Sequence, residues 1–369
     1  MAHKAPFSPS FGNRPAQLVG RQALMQSILD GLAENPGSRN RALVLLGQRG
    51  SGKTVMLWEI AEHARRAGYV VANPTTATEG MLDRIIEKVQ EDGEGRETQD
   101  PKASISGANL GMLGFSVGLQ FTRETLETKS FHYKLRSLCK RLNRLELGVL
   151  VLVDELQANS PDMRQLVSAY QELVGEGMNI ALVLAGLPGA ALGTLNDRVL
   201  TFLNRARKEQ LAPLAIGEVD AYFAKAFTEM DVQISSALRR FAAEATEGSP
   251  YLLQLVGHYI ALYAQDGMVT EATLSEALAS ARADFERDVC QTSLAALSRQ
   301  DVAFLLAMAK DDGASRVAKV AERLGVSFDY AQKYRKRLID AGVIRPALRG
   351  EVTFAIPYLR NWLQAANWG

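Results

Sequence analysis

The sequence predicts an α/β chain: a parallel sheet with helices on both faces, followed by an all-helical part and a small mixed C-terminal part. Three observations carry this reading. Short apolar runs alternate with helical patterns up to about residue 213, as a parallel sheet requires. Beyond that point strand patterns stop, and amphipathic helices follow one another through residues 216–297. From Leu297 two short helices, a turn and a third helix precede two short strands and a last helix. The 369 residues are too many for one ordinary core. The expected division is an N-terminal arm (1–16), an α/β domain (17–215), a helical domain (216–296) and a C-terminal module (297–369).

In the first domain, GRQALMQSILDGLAE places Leu24, Ile28 and Leu32 on one helical stripe. RALVLLG is a buried strand, Thr54–Ala67 a helix, GYVVAN a second strand and EGMLDRIIEKVQ a helix. LGVLVLVDE is a third strand, PDMRQLVSAYQELVGEG a helix, and NIALVLAGL a fourth strand. EDGEGRETQD (91–100) reads as an acidic linker. After it Leu113, Phe115, Val117, Leu119 and Phe121 alternate with Gly114, Ser116, Gly118 and Gln120, a period of two that predicts a strand. With SISGAN before it, a hairpin insert over 103–122 is expected, either packing on the sheet edge or contacting a protein partner or DNA.

Gly47-Gln48-Arg49-Gly50-Ser51-Gly52-Lys53-Thr54 fits G-x-x-x-x-G-K-[ST] in full, after a strand and before a helix that opens with Val55. Glycines let the backbone turn tightly and aim its N–H groups at phosphates, and the helix adds its positive N-terminus. Lys53 is placed to reach the β- and γ-phosphates, and Thr54 to ligate Mg²⁺. The strand VLVLVDE delivers Asp154 and Glu155 to its C-terminal end. Asp154 suits the Mg²⁺ shell and Glu155 the attacking water. Lys53, Asp154 and Glu155 are the candidate catalytic set, with ATP and Mg²⁺ as cofactors.

RPAQLVGR (Arg14–Arg21), the phosphate loop, VLVDE and the helical part together resemble AAA+ ATPases, closest to the origin-recognition-like branch and the prokaryotic relatives near the STAND class. The resemblance covers almost the whole chain. It implies that Leu18, Val19 and Gly20 pack on adenine, and that Gly248 and Pro250 in EGSPYLLQLVG form the G-x-P signature over the nucleotide. It also implies arginines in DRVLTFLNRARKEQL (Arg198, Arg205, Arg207) that act as a finger across a homo-oligomer interface; the plainer alternative is a solvated basic helix. Two departures bear on rate. Ala185, Gly186 and Leu187 close the fourth strand where many AAA+ proteins carry a polar side chain. Pro250 stands where many carry a sensing arginine. Slow hydrolysis is the expectation.

The C-terminal module looks like a winged helix-turn-helix. ASRVAKVAERLG puts Val317, Val320, Ala321 and Leu324 on one face, and VSFDYAQKYRKRLIDAG forms the third helix between Ser327 and Gly342. Tyr330, Lys333, Lys336 and Arg337 on that helix, with Arg349 in the wing, are the candidate contacts to duplex DNA. Such modules also bind proteins. Net charge is +1, so any basic surface is local. Cys139 and Cys290 are far apart, and His3, His63, His132 and His258 show no metal spacing. No apolar run reaches the ~18 residues of a membrane span. The expectation is a cytoplasmic protein, away from membranes, that binds DNA under nucleotide control, or else a STAND-like signalling ATPase whose winged helix is an autoinhibitory or protein-binding module.

Overall fold

The computed structural model describes residues 6–9, 17–97, 115–157, 160–189 and 201–365. Helix α1 (Gln22–Ala33) leads to strand β1 (Ala42–Leu46), helix α2 (Lys53–Arg66), strand β2 (Tyr69–Thr76) and helix α3 (Met81–Glu97). A hairpin of β3 (Phe115–Val117) and β4 (Gln120–Phe121) precedes helices α4 (Arg123–Thr128) and α5 (Phe131–Arg144). Strand β5 (Gly148–Asp154), helix α6 (Pro161–Gly175), strand β6 (Ile180–Gly186) and strand β7 (Arg207–Gln210) complete the α/β part.

The five long strands form one parallel sheet in the order β2-β5-β6-β1-β7. Strand β6 is thus inserted between β1 and β5, and the crossovers put helices on both faces. Every residue of β5 and β6 is buried, which explains why both are continuous apolar runs rather than alternating ones. One face packs Ile85, Val89, Leu135, Leu138 and Leu142 against the sheet, the other Ile28, Leu57 and Ile60. Arg41, itself buried, donates to Leu32 O and to Asn179 Oδ1 (2.7 Å) and so joins α1 to the sheet.

Two expectations need correction. The acidic stretch is not a linker up to Glu97: α3 runs through it, because Gly93 lets Leu119 approach so closely that a Cβ there would lie 2.4 Å from the leucine methyl. The alternating segment is not one strand either. It reverses at Gly118, whose φ is +48°, and β3 pairs back on β4. Leu119, in the turn, is wholly buried, and Gln90 Nε2 donates to its carbonyl at 2.7 Å. Tertiary packing decides the strand length here, not periodicity. Residues 103–114 of the expected insert lie outside the described residues. Helices α4 and α5 were not expected from the sequence.

Helices α7 (Ile216–Glu229), α8 (Ser236–Ala245), α9 (Pro250–Tyr263) and α10 (Glu271–Phe285) follow the four expected amphipathic segments. A π-helical turn, Glu286–Gln291, and the short α11 (Thr292–Ala295) lead to α12 (Arg299–Ala309). Then come β8 (Ser315–Arg316), α13 (Val317–Leu324), α14 (Phe328–Asp340), β9 (Ile344–Pro346), β10 (Glu351–Phe354) and α15 (Leu359–Ala365). The last strands form an antiparallel sheet ordered β8-β10-β9. The α7–α15 helices share a continuous apolar core. Among the described residues no helix is long and apolar enough to cross a membrane.

Candidate nucleotide site

The turn from β1 to α2 is held open by its glycines. Gly50 and Gly52 sit at φ +74° and +87°, a region L side chains avoid, and a Cβ on Gly47 would lie 2.3 Å from Ser51 Oγ. Gly52 is the N-cap of α2 and offers no side chain, so the first amide donors of the helix have no side-chain acceptor. Lys53 Nζ donates to Gly47 O (2.9 Å) and Gln48 O (2.8 Å), the loop's own carbonyls. Burial pulls its pKa down to about 8; Asp154 and Glu155 hold it up, and Arg49 pushes it down further.

Strand β5 places Asp154 beside the loop. Thr54 Oγ1 donates to Asp154 Oδ2 at 2.6 Å, and Asp154 Oδ1 accepts from the Glu155 N–H at 2.9 Å. Glu155 has φ +55°, a strained setting for a non-glycine residue and one typical of functional sites. A hydroxyl and a carboxylate meeting this closely are the oxygen donors that Mg²⁺ takes, so Thr54 and Asp154 would hold the ion. The ion would neutralise charge on the phosphate oxygens. Among the described residues no cluster of three or more His, Cys, Asp or Glu could hold a metal, and both cysteines are buried free thiols.

These groups line a cleft of ~750 Å³ between the sheet and the helical part, a size typical of small-molecule sites. Arg49–Val55, Asp154 and Glu155 form one side. Leu18 and Val19 line it, whereas Gly20 is not on the wall. It turns the chain at φ +64° against helix α7, where a Cβ would meet Glu218 Oε2 at 2.6 Å. Gly47 and Gln48, at the start of the loop, do not line the cleft. Leu187 lines the cleft just beyond β6, so the end of that strand offers no polar side chain.

From the helical side, Pro250 at the first turn of α9 comes within 3.9 Å of a Cβ built on Gly52, and Tyr251 Cβ within 3.3 Å of one on Gly50. Ser249 caps the helix by accepting from Leu252 N. Gly248, at φ +72°, packs on Leu214 and accepts its N–H through the glycine carbonyl at 2.8 Å. Sequence reasoning missed Tyr251, whose hydroxyl donates to Asp288 Oδ2 at 2.8 Å. It also missed Asp288, which lies in the π-helical turn and lines the cleft.

The candidate finger arginines separate. Arg198 lies outside the described residues. Arg205 is exposed. Arg207 is not ahead of the fifth strand but begins it, and its guanidinium donates to Ser27 O, Ser27 Oγ and Glu209 Oε1 at 2.8–2.9 Å. Those bonds engage its guanidinium within the chain.

On α14, Tyr330, Lys333 and Lys336 are exposed, as is Arg349 between β9 and β10. Arg337 is exposed too, but it is engaged within the chain: its Nη2 and Nε donate to Asp301 Oδ1 at 2.6 and 3.1 Å, and it stacks over Tyr334 at 4.9 Å. It braces α14 against α12 while its side chain stays exposed. The far end of α14 holds a contact the sequence gave no sign of. A Cβ on Gly342 would lie 2.0 Å from Gln48 Oε1, and one on Gly189 2.2 Å from Asp340 Cβ. The C-terminal helices therefore rest on the back of the phosphate loop and on the segment after β6.

Residues 17–184 match the model of the AAA ATPase domain, and residues 287–363 a model described as a domain of unknown function (DUF8462). No curated protein matches the chain. Among solved structures, the Walker-type ATPase PABY2304 of Pyrococcus abyssi is similar at 16% identity and TM-score 0.68, over 95% of this chain and 97% of that one. The ORC2 protein of Aeropyrum pernix, in ADPNP–ADP complexes, is similar at 16% identity and TM-score 0.64, over 96% and 94%. Cdc6p from Pyrobaculum aerophilum gives 16% and 0.50, over 97% and 95%. In sequence, residues 17–184 are thus similar to AAA ATPase domains, and in fold nearly the whole chain is similar to these archaeal proteins.

Proposed function

We propose that the protein is an ATP-dependent switch that controls duplex DNA binding through its C-terminal module. The observation that carries the reading is the contact between Gln48 of the phosphate loop and Gly342 at the end of α14. A loop that tightens around phosphates shifts the residue on which the C-terminal helices rest, so nucleotide state and module position are linked. Lys53 would meet the β- and γ-phosphates, Thr54 and Asp154 would hold Mg²⁺, and Glu155 would take the proton of the attacking water. Hydrolysis is slow, because Ala185, Gly186 and Leu187 leave that water without a side-chain partner. Arg205 and Arg198 remain the candidates for a finger supplied by a second copy.

The order of helices and strands in the module supports a winged-helix reading, with α14 as its third helix and the β9–β10 hairpin as its wing. Tyr330, Lys333 and Lys336 on one side of α14, with Arg345 and Arg349 on the hairpin, form an exposed basic face suited to phosphates and base edges. The same Gln48–Gly342 contact favours a second reading, a STAND-like ATPase whose module is a latch on the nucleotide domain. Titrating duplex DNA with wild-type protein at two or three salt concentrations, with and without ATP, separates them. Salt-dependent binding that changes with ATP supports the DNA reading. Its absence in both states overturns that reading in favour of the latch.

A further inference from the structure

The segment Pro6–Pro9 is bound tightly to the helical part, far along the sequence from anything it touches. Phe7 is 5% exposed and lies among Tyr222, Phe223 and Phe227, with ring centroids 5.4–5.8 Å away. Gly257 on α9 makes room for it: a Cβ there would lie 2.2 Å from the phenylalanine ring. Tyr222 Oη donates to Pro6 O at 2.7 Å, and Ser8 N donates to Gln254 Oε1 at 2.8 Å. Beyond this anchor, Ser8 and Pro9 are part of the cleft wall, with Gln254 beside them.

The position along α9 says which end of the cleft this is. Pro250 lies against the phosphate loop. Gln254 is four residues further on, about 6 Å along the axis. A nucleotide gripped by its phosphates at the loop runs outward from it, and its base and ribose must lie past the first turn of α9. The cleft wall also includes Leu18, Val19, Leu214, Leu253 and Pro9, an apolar surface for a ring face.

We propose that residues 6–9 are a strap over the nucleoside end of the cleft: Ser8 and Pro9 contact base or ribose, and Phe7 positions them by locking into the lid core. The proposal rests on the nucleotide reading of the site and adds a second, phosphate-independent determinant of affinity. It makes the strap a reader of nucleoside, whereas the P-loop reads phosphate.

The test compares ATP with inorganic tripolyphosphate by titration calorimetry on the full chain, on a chain lacking residues 1–9, and on Phe7→Ala, Phe7→Leu and Gln254→Ala. Removal of the strap or Phe7→Ala weakens ATP about tenfold, that is ~1.4 kcal/mol, and leaves tripolyphosphate unchanged. Phe7→Leu restores most of the affinity by refilling the core. Gln254→Ala, which spares that core, gives a smaller loss in the same direction. Unchanged ATP affinity in the truncated chain overturns the proposal. So does a parallel loss of ATP and tripolyphosphate, the signature of a general brace. Wild-type protein that binds neither probe instead removes the nucleotide reading itself.

Discussion

The contact between Gly342 and Gln48 can be measured as an energy. Gly342 sits at φ +71°, just past α14, where its N–H donates to Ile339 O at 2.9 Å. Alanine there costs about 1–2 kcal/mol from the left-handed backbone alone, wherever the module lies. Its methyl group would also fall 2.0 Å from Gln48 Oε1. That oxygen is buried and has no hydrogen-bond partner among the described residues, so the glutamine must move within a packed site, which adds about 1 kcal/mol. Gln48→Ala leaves the backbone strain and removes the clash. Urea denaturation of the wild type, the two single variants and the double variant isolates the second term. The expected coupling is about 1 kcal/mol, within the range for residues in direct contact. Repeating the cycle in saturating ATP should shrink it, if phosphate binding shifts the loop. Additivity within ~0.5 kcal/mol would mean that Gly342 serves only to end its helix, and the link between nucleotide and module would lose its basis.

Lys53→Ala should abolish ATP binding in calorimetry while the thermal melt stays cooperative, since the amine bonds only loop carbonyls. Phosphate needs the ammonium form, and burial lowers the Lys53 pKa to about 8. ATP binding should therefore take up a proton above that pH, with Kd rising about tenfold per unit; a flat Kd between pH 7 and 9.5 contradicts this. Glu155→Gln should retain ATP binding and lose phosphate release, because an amide cannot accept the proton. Lys333→Ala with Lys336→Ala should flatten the salt dependence of DNA binding by about two log–log units, roughly one per phosphate contact. Arg337→Ala should instead lower stability by about 1 kcal/mol, a charged hydrogen bond discounted for partial exposure, with little change in that slope.

Local signals made much of this chain legible. The phosphate loop declares itself in eight consecutive residues. The β5 strand and its Asp154–Glu155 end are unbroken apolar residues with a charge at the edge where ligands bind. The ends of α14 were marked by Ser327 and Gly342. What was not legible depends on contacts between distant segments. Gly93 sits in an acidic stretch of loop-like composition, yet it is helical because Leu119 packs on it. Phe7 lies in an aperiodic arm, and nothing in its neighbours points to Gly257, 250 residues away. Arg337 shares its face with two lysines, and only the position of Asp301 on another helix shows that it is engaged. The strain at Glu155 is invisible to composition, since glutamate has no preference for positive φ.

The two sides of the phosphate loop now have different tasks. The inner side carries the glycines, Lys53 and Thr54 toward the cleft. The outer side presents Gln48 to Gly342. Gln48 occupies one of the motif's unspecified positions, so phosphate chemistry does not dictate its side chain. A small or flexible residue would serve the loop equally well. The glutamine is instead half-buried, with its carbonyl oxygen fully covered against a glycine at positive φ where any side chain would push it aside. That pairing is costly for an unsatisfied amide and sits where a loop movement would be felt at once by α14. A contact that is both tight and imperfectly satisfied is readily exchanged for an alternative arrangement, which is what a switch between two module positions requires.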